Sequence, residues 1–255
     1  MKEARVLSGP STHHERLRHA ELGLVQNWFE PTAHVLDLGA GAGYQASLIS
    51  EMGCDVTAVD VAVRGRTYYP VREYDGKRIP LPDESVDVVF SSHVLEHVES
   101  LMPLLSETKR VMRPLGLAIH ILPTPAWRLW TSLAHYPYVL KTLLLRQPAD
   151  SLVNVGGARD AISEYGFFHA LYKAAVHPLV AHGSYRNAPV ELRAFRRRRW
   201  INLFTNNGFT LVSAAPSGLF YTGYGVFPHM SLHLRRRMSV LFGSSSQILV
   251  LRKTD

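Results

Sequence analysis

The run VLDLGAGAGYQA, Val35 to Ala46, limits the folds open to this chain more than any other stretch. An apolar segment ends in Asp37 and passes directly into Gly39, Gly41 and Gly43 before a helix-forming stretch begins. Glycines so placed let the backbone turn sharply from strand to helix, admit a ligand close to the main chain, and aim the unpaired amides of the helix start outward. That turn belongs at the carboxyl edge of a parallel sheet backed by helices, so an α/β architecture is expected. The acid matters as well: beside a pyrophosphate it would repel, whereas beside an ammonium group it attracts.

Apolar runs and helical stretches alternate on either side of this turn. Strands are expected over His34–Leu38, Asp55–Asp60, Val86–Ser92 and Leu115–Leu122, with a helix over Gly43–Met52. Thr12–Phe29 reads as a lead-in helix ending before Pro31, and His93–Met112 as a helix with one buried face, kinked at Pro103. Only Val61 to Tyr69 separate the second strand from the next apolar stretch, room for a single helical turn. Arg196–Asn207 reads as a last helix stopped by Gly208, followed by strands over Phe209–Ala215 and Gln247–Arg252. Together these predict a Rossmann-like seven-stranded sheet, mostly parallel, with an antiparallel strand at its end and helices on both faces.

Between the fifth strand and the last helix, Pro123, Pro125, Pro137, Pro148, Pro178 and Pro189 punctuate a segment without strand alternation. Residues 123–195 are therefore expected as an insertion for substrate recognition, a lid, with 1–122 and 196–255 forming the core. Trp127, Trp130, Tyr136, Tyr138 and the apolar run Val139 to Leu145 would cover an apolar or lipid-linked substrate.

The net charge of +7 is local, concentrated in Arg196–Arg199 and Arg235–Arg237. Local basicity suits phosphates or an anionic lipid surface better than a uniformly cationic shell does. With no apolar run of about 18 residues, no membrane span is expected. A lone Cys54 excludes an internal disulfide, and the stretch after Met1 lacks a signal-peptide pattern. The expected location is cytoplasmic, with peripheral contact at the inner membrane surface.

The spacing Asp37-x-Gly39-x-Gly41-x-Gly43 resembles motif I of the class I S-adenosylmethionine-dependent methyltransferases. The stretch YDGKRIPLPDESVDVVFSSHVLEHV, Tyr74 to Val98, is similar to the UbiE-type, methyltransferase type 11 branch of that family. Arg110 to Gly116, RVMRPLG, resembles the family's Arg-x-Leu-x-Pro-Gly-Gly turn before strand five, with Leu115 where a glycine is usual. The resemblance implies S-adenosylmethionine as cofactor, bound by Asp37, Gly39, Ala40, Gly41, Gly43 and Tyr44 of the turn. It further implies Asp60 and Val61 at the ribose, Asp75 and Gly76 at the adenine, and Ser91 and His93 at the end of strand four. The methyl acceptor would be a small molecule, a glycan or a lipid-linked compound, methylated on oxygen, nitrogen or carbon.

Methyl transfer from a sulfonium needs positioning first and a base only where the nucleophile loses a proton. His93 and His97 are the candidate proton acceptors or substrate contacts. Three other readings attach to the same residues. His93-x-x-Glu96-His97 matches an inverted zinc-peptidase signature, although no third ligand is evident and no metal is expected. The arginine clusters with nearby aromatics would also suit RNA, but no RNA-binding module is visible. A catalytically silent cofactor-binding scaffold is the last.

Overall fold

The fold comes from a computed structural model, which describes residues 12–63, 65–145, 182–224 and 227–254. The first element among the described residues is α1 (His13–Gly23), started by a capping box in which Thr12 and Glu15 satisfy each other's backbone amides. Then follow β1 (His34–Leu38), α2 (Tyr44–Glu51), β2 (Asp55–Asp60), β3 (Val71–Glu73) and β4 (Val86–Ser92). After these come α3 (Leu101–Val111), β5 (Met112–Pro123), α4 (Pro125–Leu145) and α5 (Ala188–Ala194). The order closes with α6 (Arg197–Thr205), β6 (Phe209–Pro216), α7 (Leu232–Phe242) and β7 (Ser246–Lys253).

The strands form one seven-stranded sheet in the order β3-β2-β1-β4-β5-β7-β6. β7 runs antiparallel to both β5 and β6, so the antiparallel strand is penultimate and β6 takes the edge expected for it. Burial explains the placement: β7 is buried from Ser246 to Leu251, as a central strand must be, while β6 is mostly half-exposed. The chain leaves β1 to one side and β4 to the other, which opens a crevice at their carboxyl ends. Two apolar clusters hold the sheet. One, with Leu36, Leu105, Trp200 and Phe204, lies beneath α3 and α6; the other, with Val35, Ile49, Phe90 and Phe29, lies beneath α2.

Three expectations are corrected. The single helix over His93–Met112 is split, because His93 sits at φ 58 and Leu95–His97 forms only a 3-10 turn before α3 starts at Leu101. Pro103 therefore lies in the first turn of α3, where no backbone donor is needed, and makes no kink. No helix forms among the described residues between β2 and β3; the chain crosses to the short edge strand as an irregular loop. Of the expected insertion, α4 and the stretch from His182 through α5 are described, whereas the 146–181 part of the lid expectation lies outside the described residues. Trp127 of α4 is buried in the main core cluster, and Trp130 donates to the Phe242 carbonyl at 2.9 Å.

Candidate functional site

The turn after β1 is built as its sequence suggests. The Gly39 and Ala40 amides both donate to the Val59 carbonyl of β2, and the Gly43 amide donates to the Ala40 carbonyl, which closes the bend. Gly43 stands at φ 75, and a β-carbon there would lie 2.9 Å from Tyr69 Cβ; at Gly39 one would collide with the Val94 methyls. Gly41 differs: at φ 56 it faces open space. Two glycines thus serve close packing, and the third leaves its backbone approachable.

Asp37 is 3% exposed, and its Oδ2 has no hydrogen-bond partner. Burial, then the nearby Asp60 carboxylate, push its pKa up to about 7 against an opposing hydrogen bond from the Ala46 amide. A buried carboxyl held this way is uncomfortable as an anion and lacks one partner; a cationic donor supplies both charge and hydrogen bond. Asp60 accepts from the Gly41 amide at 2.7 Å and from the Ala62 amide at 3.2 Å. A carboxylate has about four acceptor positions, so two remain for hydroxyl groups. Gly76, at φ 73, comes against Val61, so those two residues meet at the rim of β2. Asp75 is fully exposed and uses Oδ1 to cap the Lys77 and Arg78 amides, which lower its pKa.

The structure therefore brings Asp37, Gly39–Gly43, Asp60, Val61 and Gly76 together at the crevice, with Tyr44 stacked edge-on to Tyr68 at 5.3 Å beside them. Ser91 is not with them. It is fully buried, and its Oγ pairs with His120 Nδ1 at 2.8 Å on the opposite sheet face, where His120 stacks on Phe204 at 4.9 Å. Strand alternation turns its side chain away from Asp37.

His93 directly follows β4 and is tied to β5 by donation from its amide to the Ile121 carbonyl at 2.9 Å. Its ring lies between two carboxylates, with Nε2 3.4 Å from Glu21 and Nδ1 3.5 Å from Glu96. Burial and the Arg18 charge oppose protonation of His93, but Glu21 and Glu96 outweigh them and raise its pKa. Glu21, wholly buried, accepts from the Tyr221 hydroxyl at 2.6 Å and from Ser246 Oγ, and pairs with Arg18. Burial works against its charge, yet Arg18 and His93 hold its pKa far below the usual carboxylate range. A cavity of about 550 Å³ opens beside this group, lined by Arg18, His93, His97, His182, Tyr221 and Trp127 among others. His97 meets His182 edge-on at 5.2 Å in its wall.

Glu21, Tyr221 and Ser246 carry no signal of this cluster in the sequence. They come from α1, the loop after β6, and β7, with Glu21 200 residues or more from the other two, and no local pattern links them. The geometry also bears on the zinc-peptidase signature. With His93 in the left-handed region and a 3-10 turn after it, the two histidines do not sit one α-helical turn apart. Among the described residues no group of three His, Cys, Asp or Glu side chains is arranged to hold a metal ion.

Residues 36–120 match the family model described as a methyltransferase domain. A malonyl-[acyl-carrier protein] O-methyltransferase of Serratia marcescens is 35% identical over 96 residues, 35% of this chain and 38% of that protein. An uncharacterized methyltransferase of Mycobacteroides abscessus is 39% identical over 99 residues, 33% of this chain and 38% of that one. The chain thus spans little more than a third of the length of the curated relatives it matches. Over the whole fold, a crystal structure of an S-adenosylmethionine dependent methyltransferase from Mesorhizobium loti superposes with a TM-score of 0.54 at 15% identity, covering 92% of this chain and 98% of that one.

Proposed function

We propose that the protein is a class I S-adenosylmethionine-dependent methyltransferase, a reading that the match of residues 36–120 to the methyltransferase-domain model supports, and that it moves a methyl group onto an acceptor held in the cavity beside His93. The observation that carries this reading is the buried Asp37 carboxyl with an unpartnered oxygen at the head of a glycine bend left open at Gly41. S-adenosylmethionine supplies a methyl group on a positively charged sulfur. Asp37 would receive its ammonium end, and the loop from Gly39, Ala40, Gly41 and Gly43 to Tyr44 would border the donor. Asp60 and Val61 would meet the ribose, and Asp75 and Gly76 the adenine. Ser91 has no part in this set, since its side chain is committed to His120. His93 would border the donor from the far wall, because Val94 next to it packs on Gly39.

Both ring nitrogens of His93 face carboxylates, so its part is to position the acceptor with a fixed positive charge. His97, further along the cavity wall, is the group to take a proton where the acceptor must lose one. The acceptor is read as a small molecule, a glycan or a lipid-linked compound, entering through the side walled by α4 and His182. Peripheral contact with an anionic membrane at the cytoplasmic face would use the exposed Val240 and Leu241 at the end of α7 beside Arg236 and Arg237. Among the described residues no helix is long and apolar enough to cross a membrane.

The test is calorimetry with S-adenosylhomocysteine on the wild type, Asp37→Asn and Gly41→Val. Binding to the wild type and its loss in both variants, with the fold retained, supports the reading. Retained micromolar affinity in both, or uptake of a nicotinamide dinucleotide in place of the sulfonium donor, sinks it. A tritiated-methyl transfer screen over small-molecule, glycan, lipid and RNA fractions then identifies the acceptor, and turnover in none of them favours a silent scaffold.

A further inference from the structure

A second hollow of about 310 Å³ lies between the start of α1 and the start of α7. Its charge is one-sided, because His13, Arg16, His229 and Arg235 line it and no acidic residue does. Arg235 is 3% exposed. It donates to the carbonyl oxygens of Met230, Phe220 and Phe227, which use three of its five N–H groups and leave its charge without a counter-ion. Arg16 likewise donates to a carbonyl, that of Pro228, at 2.9 Å. Among the described residues neither arginine has a carboxylate within ion-pair distance.

A buried guanidinium without an opposing charge is costly, and burial followed by the Arg16 charge lowers the Arg235 pKa accordingly. His13 shows the same environment: burial first, then Arg235, Arg16 and His229, hold its pKa down to about 4, and no carboxylate acts the other way. The hollow also receives Ser231 and Leu232, which begin α7, so the positive end of an 11-residue helix adds to the field. His13 and Leu17 line both this hollow and the acceptor cavity, which makes the two neighbours.

We propose that this hollow binds a phosphate-class anion, the phosphate or diphosphate end of the methyl acceptor. Arginine favours that group because its planar fork matches two phosphate oxygens at once. A dianion here answers both guanidinium charges and the helix start together, while the rest of the acceptor lies against the aromatic wall next door. Anion binding stands on the hollow itself; its use by the acceptor rests on the methyltransferase reading.

The experiment is calorimetry of the full chain at low salt with hexyl phosphate, inorganic phosphate and hexanol. Hexyl phosphate should saturate one site, bind more tightly than inorganic phosphate, and weaken as salt rises; hexanol should give no saturable heat. Arg16→Met and His229→Ala should each weaken hexyl phosphate about tenfold, the loss of roughly one charge-assisted contact, with S-adenosylhomocysteine affinity kept within about twofold. Absence of saturable binding by either phosphate, or unchanged affinity in both variants, overturns the site. Inorganic phosphate binding as tightly as hexyl phosphate overturns its assignment to the acceptor. Hexyl phosphate bound as expected by a wild type that ignores S-adenosylhomocysteine supports the anion site and refutes only the methyltransferase reading.

Discussion

Asp37→Asn separates what this carboxyl costs the fold from what it does for a ligand. The ligand-free protein holds Asp37 at a pKa of about 7 against an ordinary 3.8, because burial and then Asp60 oppose its charge. At about 1.36 kcal/mol per pH unit, ionising it in the folded state costs about 4 kcal/mol more than in the unfolded chain. The sign follows from proton counts. Between pH 4 and pH 7 the folded state binds more protons at this group than the unfolded state does, so its contribution to stability is complete below pH 4 and falls away up to pH 7. Asparagine has no such dependence. Its amide brings a constant cost at the partnerless Oδ2 position, but constant terms cancel when the same pair of proteins is compared across pH.

The stability of Asp37→Asn relative to wild type should therefore rise by about 3 kcal/mol between pH 4.5 and pH 8, most of the full span, measured by urea denaturation without ligand. Against a total stability of about 5–15 kcal/mol, that is large enough to see as a midpoint shift. A relative stability flat to within about 1 kcal/mol over this range would refute the argument that Asp37 is a buried, partnerless acid. In the wild type, S-adenosylhomocysteine should bind progressively more weakly below pH 7, because the cationic end of the ligand competes with the proton on Asp37.

The remaining expectations concern the scaffold. Glu21→Gln keeps acceptors for Tyr221 and Ser246 but strips Arg18 and His93 of their shared charge, and should destabilise the protein by about 3 kcal/mol or more; a loss under about 1 kcal/mol in denaturant titration contradicts the buried pair. His120 is pressed down to about 3 by burial, so the folded state binds fewer protons there than the unfolded state from pH 6.5 to pH 3. Stability should drop through that window as pH falls, by up to about 5 kcal/mol, and His120→Asn should flatten this acid limb of the unfolding profile. Leu115 is exposed at φ 64, where the family turn has glycine, and Leu115→Gly should stabilise by about 0.5–1 kcal/mol in the same assay.

Much of the scaffold was legible in the residues. The boundaries of β1, β2 and β4 coincide with the apolar runs read there, because a strand buried on both faces writes itself as unbroken hydrophobicity. The glycine bend was legible for another local reason, since the conformations at Gly39, Gly41 and Gly43 are ones that other residues seldom adopt. Leu115 at positive φ shows the turn geometry persisting where its usual residue does not.

Other features depended on residues far apart in the chain. No local pattern could announce that Glu21 of α1 would accept hydrogen bonds from Tyr221 and Ser246, or that His93 would be held between two carboxylates. The run Arg235–Arg237 read as one basic stripe, but the fold buries Arg235 among carbonyls and leaves Arg236 and Arg237 outside. The sequence by itself determined the α/β class and the acid-flanked glycine turn, because backbone conformation and hydrophobic period are encoded within a few neighbouring positions. Only the tertiary structure decided which charges are buried, which are paired and which face a cavity, because desolvation and Coulomb energy depend on distances between residues that the order along the chain leaves open.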